Sequence, residues 1–235
     1  MKLALLGYGK MGKTIERLAT EAGHEIVYAA GSDFERGKLA DADAAIEFSV
    51  PEAAVENINR CLDEGVPVVS GTTGWLKDYE NVIKRCEERN GSFIYASNFS
   101  VGVNLFFNLN EHLAKLMAPW KEYEASIEEI HHIQKKDAPS GTAITLAEGI
   151  IENSELDGWL LDKKAENQLS ITAKREGDVK GTHRIDYKSK IDTISIIHEA
   201  HGREGFAKGA ILAAEWLKDK KGVHSMKEVL GLDTK

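Results

Sequence analysis

The chain has 235 residues, 42% hydrophobic and 29% charged, and its 30 Lys and Arg against 38 Asp and Glu give a formal charge of −8. That mixture excludes a disordered or fibrous polymer, and at this length folding buries roughly 70–75% of the unfolded surface. The acidic balance argues against a nucleic-acid wrapper or a membrane-surface protein, both of which need a positive face, but leaves room for a local anion pocket.

The first hundred residues alternate strand and helix. Leu3 to Leu6 is a short apolar strand, too brief for a signal sequence, and a cytoplasmic location is expected. Met11 to about Glu21 is a helix stopped by Gly23, and Glu25 to Ala30 a second strand. Ala44 to Phe48 is a third, followed by Ser49-Val50-Pro51-Glu52, which has capping-box spacing with proline in the first turn. That helix runs to about Glu64. Pro67 to Ser70 is a fourth strand, Lys77 to Asn90 a helix closed by Gly91, and Phe93 to Ala96 a fifth strand. Such alternation predicts βαβ units around a parallel sheet. Cys61 and Cys86 are too few for a disulfide framework or a tetrathiolate zinc site, and read as buried apolar side chains. Gly91 to Asn110 is uncharged and long enough to span a bilayer, but four asparagines and three serines exclude that role.

Beyond residue 104 the rhythm changes. A helix from Leu105 to Met117 precedes long extended segments, in which Leu169, Ile171 and Ala173, then His183, Ile185 and Tyr187, alternate with polar residues. Asp192 to His198 is another β-rich run, Thr142 to Ile151 is helical by spacing, and Ala207 to Lys218 is an amphipathic helix that can return to the first domain. The predicted fold is α/β: a Rossmann-type dinucleotide-binding domain (1–99 with 207–235) and a second α+β domain (100–206) with a largely antiparallel open sheet.

Three motifs carry chemistry. Gly7-Tyr8-Gly9-Lys10-Met11-Gly12 is a G-x-G-x-x-G between a strand and a helix, the setting in which backbone N–H groups cradle a pyrophosphate. After the second strand, Asp33 suits the ribose diol of NAD, whereas Ser32 with Arg36 or Lys38 suits a 2′-phosphate. Gly71-Thr72-Thr73-Gly74 and Ala96-Ser97-Asn98-Phe99 follow the fourth and fifth strands, at the carboxyl edge where such sheets bind ligands, on the nicotinamide side. The stretch Glu129 to Ala143 sets His131, His132, Lys135 and Lys136 beside Pro139-Ser140-Gly141-Thr142, which reads as a helix start. Ammonium groups next to such a start suit a dicarboxylate, and a histidine there can deliver a proton near neutral pH. Adjacent residues on a strand point to opposite faces, so His131 and His132 do not share one ion, and no metal is expected.

The block Glu129-x-His131-His132-x-x-Lys135-x-Asp137-Ala138-Pro139-Ser140-Gly141-Thr142-Ala143 resembles the signature of the 4-hydroxy-tetrahydrodipicolinate (dihydrodipicolinate) reductase family. Gly7 to Gly12, Glu47 to Pro51, Gly71 to Gly74, Ala96 to Asn104 and His198 to Ala210 resemble further family motifs in the family's order. The loop from Gly31 to Asp43 is short for the family and leaves NADH and NADPH both open. The resemblance implies that His131 is the proton donor, that Lys135 assists protonation and holds substrate, and that His132, Ser140, Gly141 and Thr142 bind substrate carboxylates. It implies that Gly7, Tyr8, Gly9, Lys10, Met11 and Gly12 cradle the pyrophosphate, with Ser32 or Asp33 at the ribose. Gly71, Thr72, Thr73, Ala96, Ser97, Asn98 and Phe99 are then expected at the nicotinamide, while the role of Arg203 stays open. The implied reaction is NAD(P)H-dependent reduction in the diaminopimelate–lysine pathway by a homotetramer assembled through the second sheet. The rival readings are another nicotinamide-dependent dehydrogenase of a small carboxylated substrate, and a silent NAD(P)-sensing module.

Overall fold

A computed structural model describes residues 1–232; the last three residues of the predicted 207–235 segment lie outside the described residues. The chain divides into two compact units, Met1–Val101 together with Glu204 onward, and Gly102–Arg203.

The first unit begins with β1 (Lys2–Leu6), α1 (Lys10–Glu21), β2 (Glu25–Ala30) and β3 (Glu35–Gly37). It continues with β4 (Ala44–Glu47), α2 (Pro51–Asp63), β5 (Val68–Ser70), α3 (Tyr79–Glu88) and β6 (Ser92–Tyr95). The second unit holds nearly all of α4 (Val101–Met117), then β7 (Glu124–His131), α5 (Gly141–Ile151), β8 (Gly158–Leu161), β9 (Gln168–Arg175), β10 (Thr182–Lys188) and β11 (Thr193–Glu199). The chain then supplies α6 (Glu204–Leu217), β12 (Gly222–His224) and α7 (Met226–Val229) to the first unit.

Strand parity explains the layers of the first unit. Leu3 and Leu5 of β1 pack in one buried cluster with Ile15 and Leu18 of α1 and Ala210, Ala214 and Leu217 of α6. Ala4 and Leu6, pointing the other way, join Ile58 and Leu62 of α2 and Val82 and Cys86 of α3. Each fully buried Leu or Ile contributes about 1.5–3 kcal/mol relative to exposure, so two apolar faces hold helices on both sides. The sheet order is β12-β6-β5-β4-β1-β2-β3, all parallel except the short edge strand β3, which pairs antiparallel to β2.

The sequence reading placed neither β3 nor β12, and two of its local readings are corrected. The predicted capping box at Ser49–Glu52 does not form: Val50 is the N-cap of α2 and makes no side-chain cap, while the Ser49 hydroxyl turns to Glu47. Pro51 does open the helix. The predicted helix from Lys77 begins as a short 3₁₀ turn at Leu76–Asp78, and Asn90, not Gly91, takes the left-handed conformation (φ 47°) after α3. Gly91 serves instead as a gap against Leu62, 2.7 Å from where a Cβ would lie.

In the second unit the sheet order is β11-β10-β7-β9-β8. Its two seven-residue ladders, β10 with β11 and β10 with β7, are antiparallel, and the pairings of β9 with β7 and β8 are parallel. One face is covered by α4 and α5: Ile127, Leu169, Ile171, Ile185 and Tyr187 meet Phe106, Met117, Leu146 and Ile150. Among the described residues no helix is long and apolar enough to cross a membrane.

Candidate active site

The glycine motif sits between β1 and α1, and its three glycines meet three different surroundings. Gly7 ends the strand at φ 98°, donates its N–H to the Ala30 carbonyl at 2.9 Å, and lies against Phe48, whose carbonyl oxygen is 2.0 Å from a hypothetical Cβ. Gly12 abuts the Gly7 carbonyl in the same way, at 2.2 Å. At Gly9, by contrast, nothing lies within 4 Å of that position. Gly9 is also the N-cap of α1, with no side-chain cap and no acidic residue in the first turn. Uncapped donors above an open glycine are the arrangement that can receive an anion.

A cavity of about 660 Å³ adjoins this turn, lined by Gly7, Gly9, Ser32, Asp33, Phe34 and Asn57 among others. Asp33 accepts a hydrogen bond from the Ser32 hydroxyl at 2.9 Å, and both are exposed. Arg36 is committed elsewhere: it pairs with Glu16 and lies over the Tyr8 ring, 5.4 Å from its centroid, and Tyr8 packs edge-on against Phe34 at 5.0 Å. Tyr8 lines the cavity; Lys10, Met11 and Gly12, which form the first turn of α1, do not.

At the carboxyl edge of the same sheet, sequence reasoning missed what organises the loops. Glu47, fully buried at the end of β4, accepts from the Ser70 hydroxyl (2.6 Å), the Thr72 hydroxyl (2.8 Å) and the Ser49 N–H (3.0 Å). Thr72 is thereby turned inward, and its carbonyl accepts from the Trp75 indole at 2.7 Å. Phe99 is likewise a core side chain, 5.9 Å from the Phe48 ring, and Asn98 is buried with its Oδ1 on the Ser100 N–H at 2.9 Å. Gly71 and Ala96 are half-buried, and Thr73 and Ser97 exposed. Thr72 and Phe99 therefore offer the edge their backbone, not their side chains.

The second unit builds its site by register. Glu129 and His131 follow Ile127 on β7 at two-residue spacing, so all three face the helices. The ladder sets His183 of β10 opposite Glu129 and Arg175 of β9 beside His131. The polar ends of these strands meet in one buried layer next to the start of α5. Ser140, the N-cap of α5, accepts from the Ala143 N–H at 3.2 Å and donates its own N–H to both Glu129 oxygens at 3.2 and 3.1 Å. Its hydroxyl lies 3.2 Å from His183 Nε2. Arg175 Nη2 is 3.1 Å from Glu129 Oε1, and the same guanidinium donates to the Lys135 and Asp137 carbonyls, pinning the loop after β7. His131 and His183 stack edge to face, centroids 5.1 Å apart.

Burial lowers the proton affinity of both rings. His183 is pushed down to about 3, chiefly by burial, with His131, His198 and Lys135 nearby adding to the effect. His131 is lowered by burial and by Lys135 and Arg175, while Glu129 and Asp137 oppose the shift. Lys135 is partly buried and holds Asp137 at 2.7 and 2.9 Å. His132 is half-buried outside this cluster; its carbonyl accepts from the Lys135 N–H at 3.1 Å. Gly141 is exposed in the first turn of α5, with Thr142 half-buried beside it, and Arg203 is exposed.

Glu129, His131 and His183 bring donor atoms within 4.8 Å of one another, a set of the type that holds zinc. The carboxylate is already engaged by a guanidinium and a backbone N–H, and the adjacent positive charge opposes a cation. Glu129, Arg175 and His183 were not assigned roles from the sequence. The signal was present as polar residues at strand positions whose parity points to the core.

A family model described as the N-terminus of dihydrodipicolinate reductase matches residues 1–99, and one described as its C-terminus matches residues 102–230. The chain belongs to the dihydrodipicolinate reductase family. A 4-hydroxy-tetrahydrodipicolinate reductase of Christiangramia forsetii is 54% identical over 233 residues, covering 98% of each chain. One from Archaeoglobus fulgidus is 34% identical over 98% of this chain and 100% of its own. Among solved structures, the dipicolinate-bound dihydrodipicolinate reductase from Paenisporosarcina sp. TG-14 shares the fold at TM-score 0.76 and 21% identity, covering 97% of this chain and 98% of its own. An aspartate dehydrogenase from Thermotoga maritima shares it more distantly, at 0.52 and 15%, covering 94% and 97%. The segment from β7 to α5 that carries the buried cluster falls within the C-terminal match, and the glycine turn within the N-terminal one.

Proposed function

We propose that the chain reduces 4-hydroxy-tetrahydrodipicolinate to tetrahydrodipicolinate with a reduced nicotinamide dinucleotide, in the diaminopimelate–lysine pathway. The observation that carries this reading is that the first turn of α5 and the imidazole of His131 share one buried network through Ser140, Glu129 and His183. A carboxylate-binding helix start and a proton donor are thus held in fixed relation. Gly141 and Thr142 bind one carboxylate there, with His132 at a second and Lys135 exchanging Asp137 for the substrate. The bound dinucleotide supplies hydride. The cradle at Gly9 and the cavity beside Asp33 suit its pyrophosphate and ribose, with the backbone of Gly71–Thr73 and Ala96–Phe99 toward the nicotinamide. Loss of water from the hydroxylated ring creates the C=C bond conjugated with the imine; hydride adds to one of its carbons, and His131 protonates the other.

A coupled assay with enzymatically generated substrate and each cofactor in turn tests this. Substrate-dependent oxidation of NADH or NADPH is expected, with no turnover of other keto and imino acids. Cofactor binding without turnover would leave only a sensor, and turnover of a different acid would reassign the enzyme.

Asp33 at the cavity, with Arg36 occupied by Glu16, favours NADH. In that assay Asp33→Ala should lower the NADH-to-NADPH ratio of kcat/KM by roughly tenfold, the equivalent of one charged hydrogen bond. An unchanged ratio would remove Asp33 from the ribose.

Assembly as a cytoplasmic homotetramer completes the reading. The exposed Ile197, on the face of the edge strand β11 turned away from the helices, and Ile191 in the turn before that strand support a sheet-to-sheet contact between copies.

A further inference from the structure

We propose that Glu129 is the positioning residue of the proton donor: its buried carboxylate holds the Nδ1–H of His131, leaving Nε2 as the atom that gives up the proton. This rests on the reading of His131 as the acid, and it assigns a role to a residue on the same strand that touches no substrate.

The two oxygens of Glu129 face different groups. Oε1 meets Arg175 at 3.1 Å, while Oε2 lies 3.5 Å from His131 Nδ1 and 3.7 Å from His183 Nε2, with the Ser140 N–H reaching both oxygens. His183 Nε2 already has the Ser140 hydroxyl at 3.2 Å. His131 Nδ1 is buried and has no hydrogen-bond partner, a costly arrangement that a slight turn of the ring toward Oε2 relieves. Contacts of this type are often long before substrate arrives and shorten afterwards. At the opposite edge of the ring the backbone of Gly181 approaches Nε2, and a Cβ there would stand 3.2 Å from that nitrogen. One nitrogen therefore faces a fixed anion, and the other a glycine that brings no side chain against it.

The charges around the ring make the carboxylate necessary. Burial disfavours the imidazolium most, and Lys135 from the loop and Arg175 from β9 add to it; His183 from β10 is neutral; Glu129, with Asp137, favours it. In the transfer, the Nε2–H bond breaks as a C–H bond forms on the carbon adjacent to the hydride acceptor, whose electron pair captures the proton. The imidazole is left neutral and keeps its other proton on Nδ1, directed at Glu129.

Glu129→Gln preserves size and an acceptor for Ser140 but removes the charge. Expected are a fall in kcat of at least about tenfold with KM within about threefold, and a basic limb of the kcat–pH profile displaced about one unit toward acid. Glu129→Asp should recover part of that displacement. A lower kcat with an unmoved limb would make Glu129 merely structural and overturn the inference. Should the glutamine variant not fold, nitrogen-15 NMR of the unaltered protein decides: the neutral His131 must carry its proton on Nδ1, and a proton on Nε2 overturns the inference. His131→Ala in the same series separates the two levels. Full activity there removes the acid and this inference with it, whereas an inactive His131→Ala beside an unmoved limb in Glu129→Gln sinks the inference alone.

Discussion

In His131→Ala, kcat is expected to fall by roughly 10²–10⁴-fold, the range associated with a positioned general acid, while KM for the substrate changes little. Hydride addition leaves an electron pair on the neighbouring ring carbon, and without a donor in place that pair must wait for water. The structure makes substitution from elsewhere difficult. His183 is neutral, pushed down to about 3, and its Nε2 is turned to Ser140, while His132 stands outside the cluster. Steady-state kinetics with either reduced cofactor provides the measurement, alongside dinucleotide affinity, which should be unaltered because the glycine turn belongs to the other unit. A kcat within threefold of the parent would remove His131 from the chemistry. A rise in KM with kcat intact would make it a binding residue instead.

Gly7→Ala should destabilise the protein by about 2–5 kcal/mol. The left-handed backbone costs a side-chain-bearing residue about 1–2 kcal/mol, and forced repacking another 1–3. The clash cannot be relieved by rotating a side chain, because the Cβ would meet the backbone of Phe48 and Ser49 at 2.0–2.7 Å and must push the end of β4 away from β1. For a chain of this size that corresponds to a melting temperature lower by roughly 4 °C or more. Gly9→Ala is the informative contrast. Its backbone is ordinary (φ −78°) and its surroundings open, so stability should hold while dinucleotide affinity drops. A stable Gly7→Ala, or a Gly9→Ala that binds cofactor as before, would show that the turn is not the built cradle described here.

Much of this architecture could be read along the chain, for identifiable reasons. The strands of the first sheet are buried on both faces, so they stand out as short apolar runs between amphipathic helices. Ser140 announces the start of α5 because serine ahead of a helical run favours the N-cap position. What escaped depended on distant neighbours. Ser49 has the right spacing for a capping box, but the buried carboxylate of Glu47 lies closer and takes its hydroxyl. β3 and β12 have three residues each, too few to show a period, and exist because a neighbouring strand offers free backbone groups. Glu129, Arg175 and His183 lie far apart in sequence and converge only through the pairing of β7 with β9 and β10. Parity could have placed each of them indoors; only register could bring them together.

The position of α6 in the chain has a bearing on how the molecule comes to be made. Ala207, Ala210, Ala214 and Leu217 close the side of the first sheet that carries Leu3 and Leu5, and β12 lengthens that sheet at its far end. A nascent chain halted before Glu204 would have every residue of its second unit yet would leave a greasy slab of its first unit bare. The earliest segment synthesised thus waits for the latest. During that interval, chaperone capture and self-association compete for the same uncovered surface.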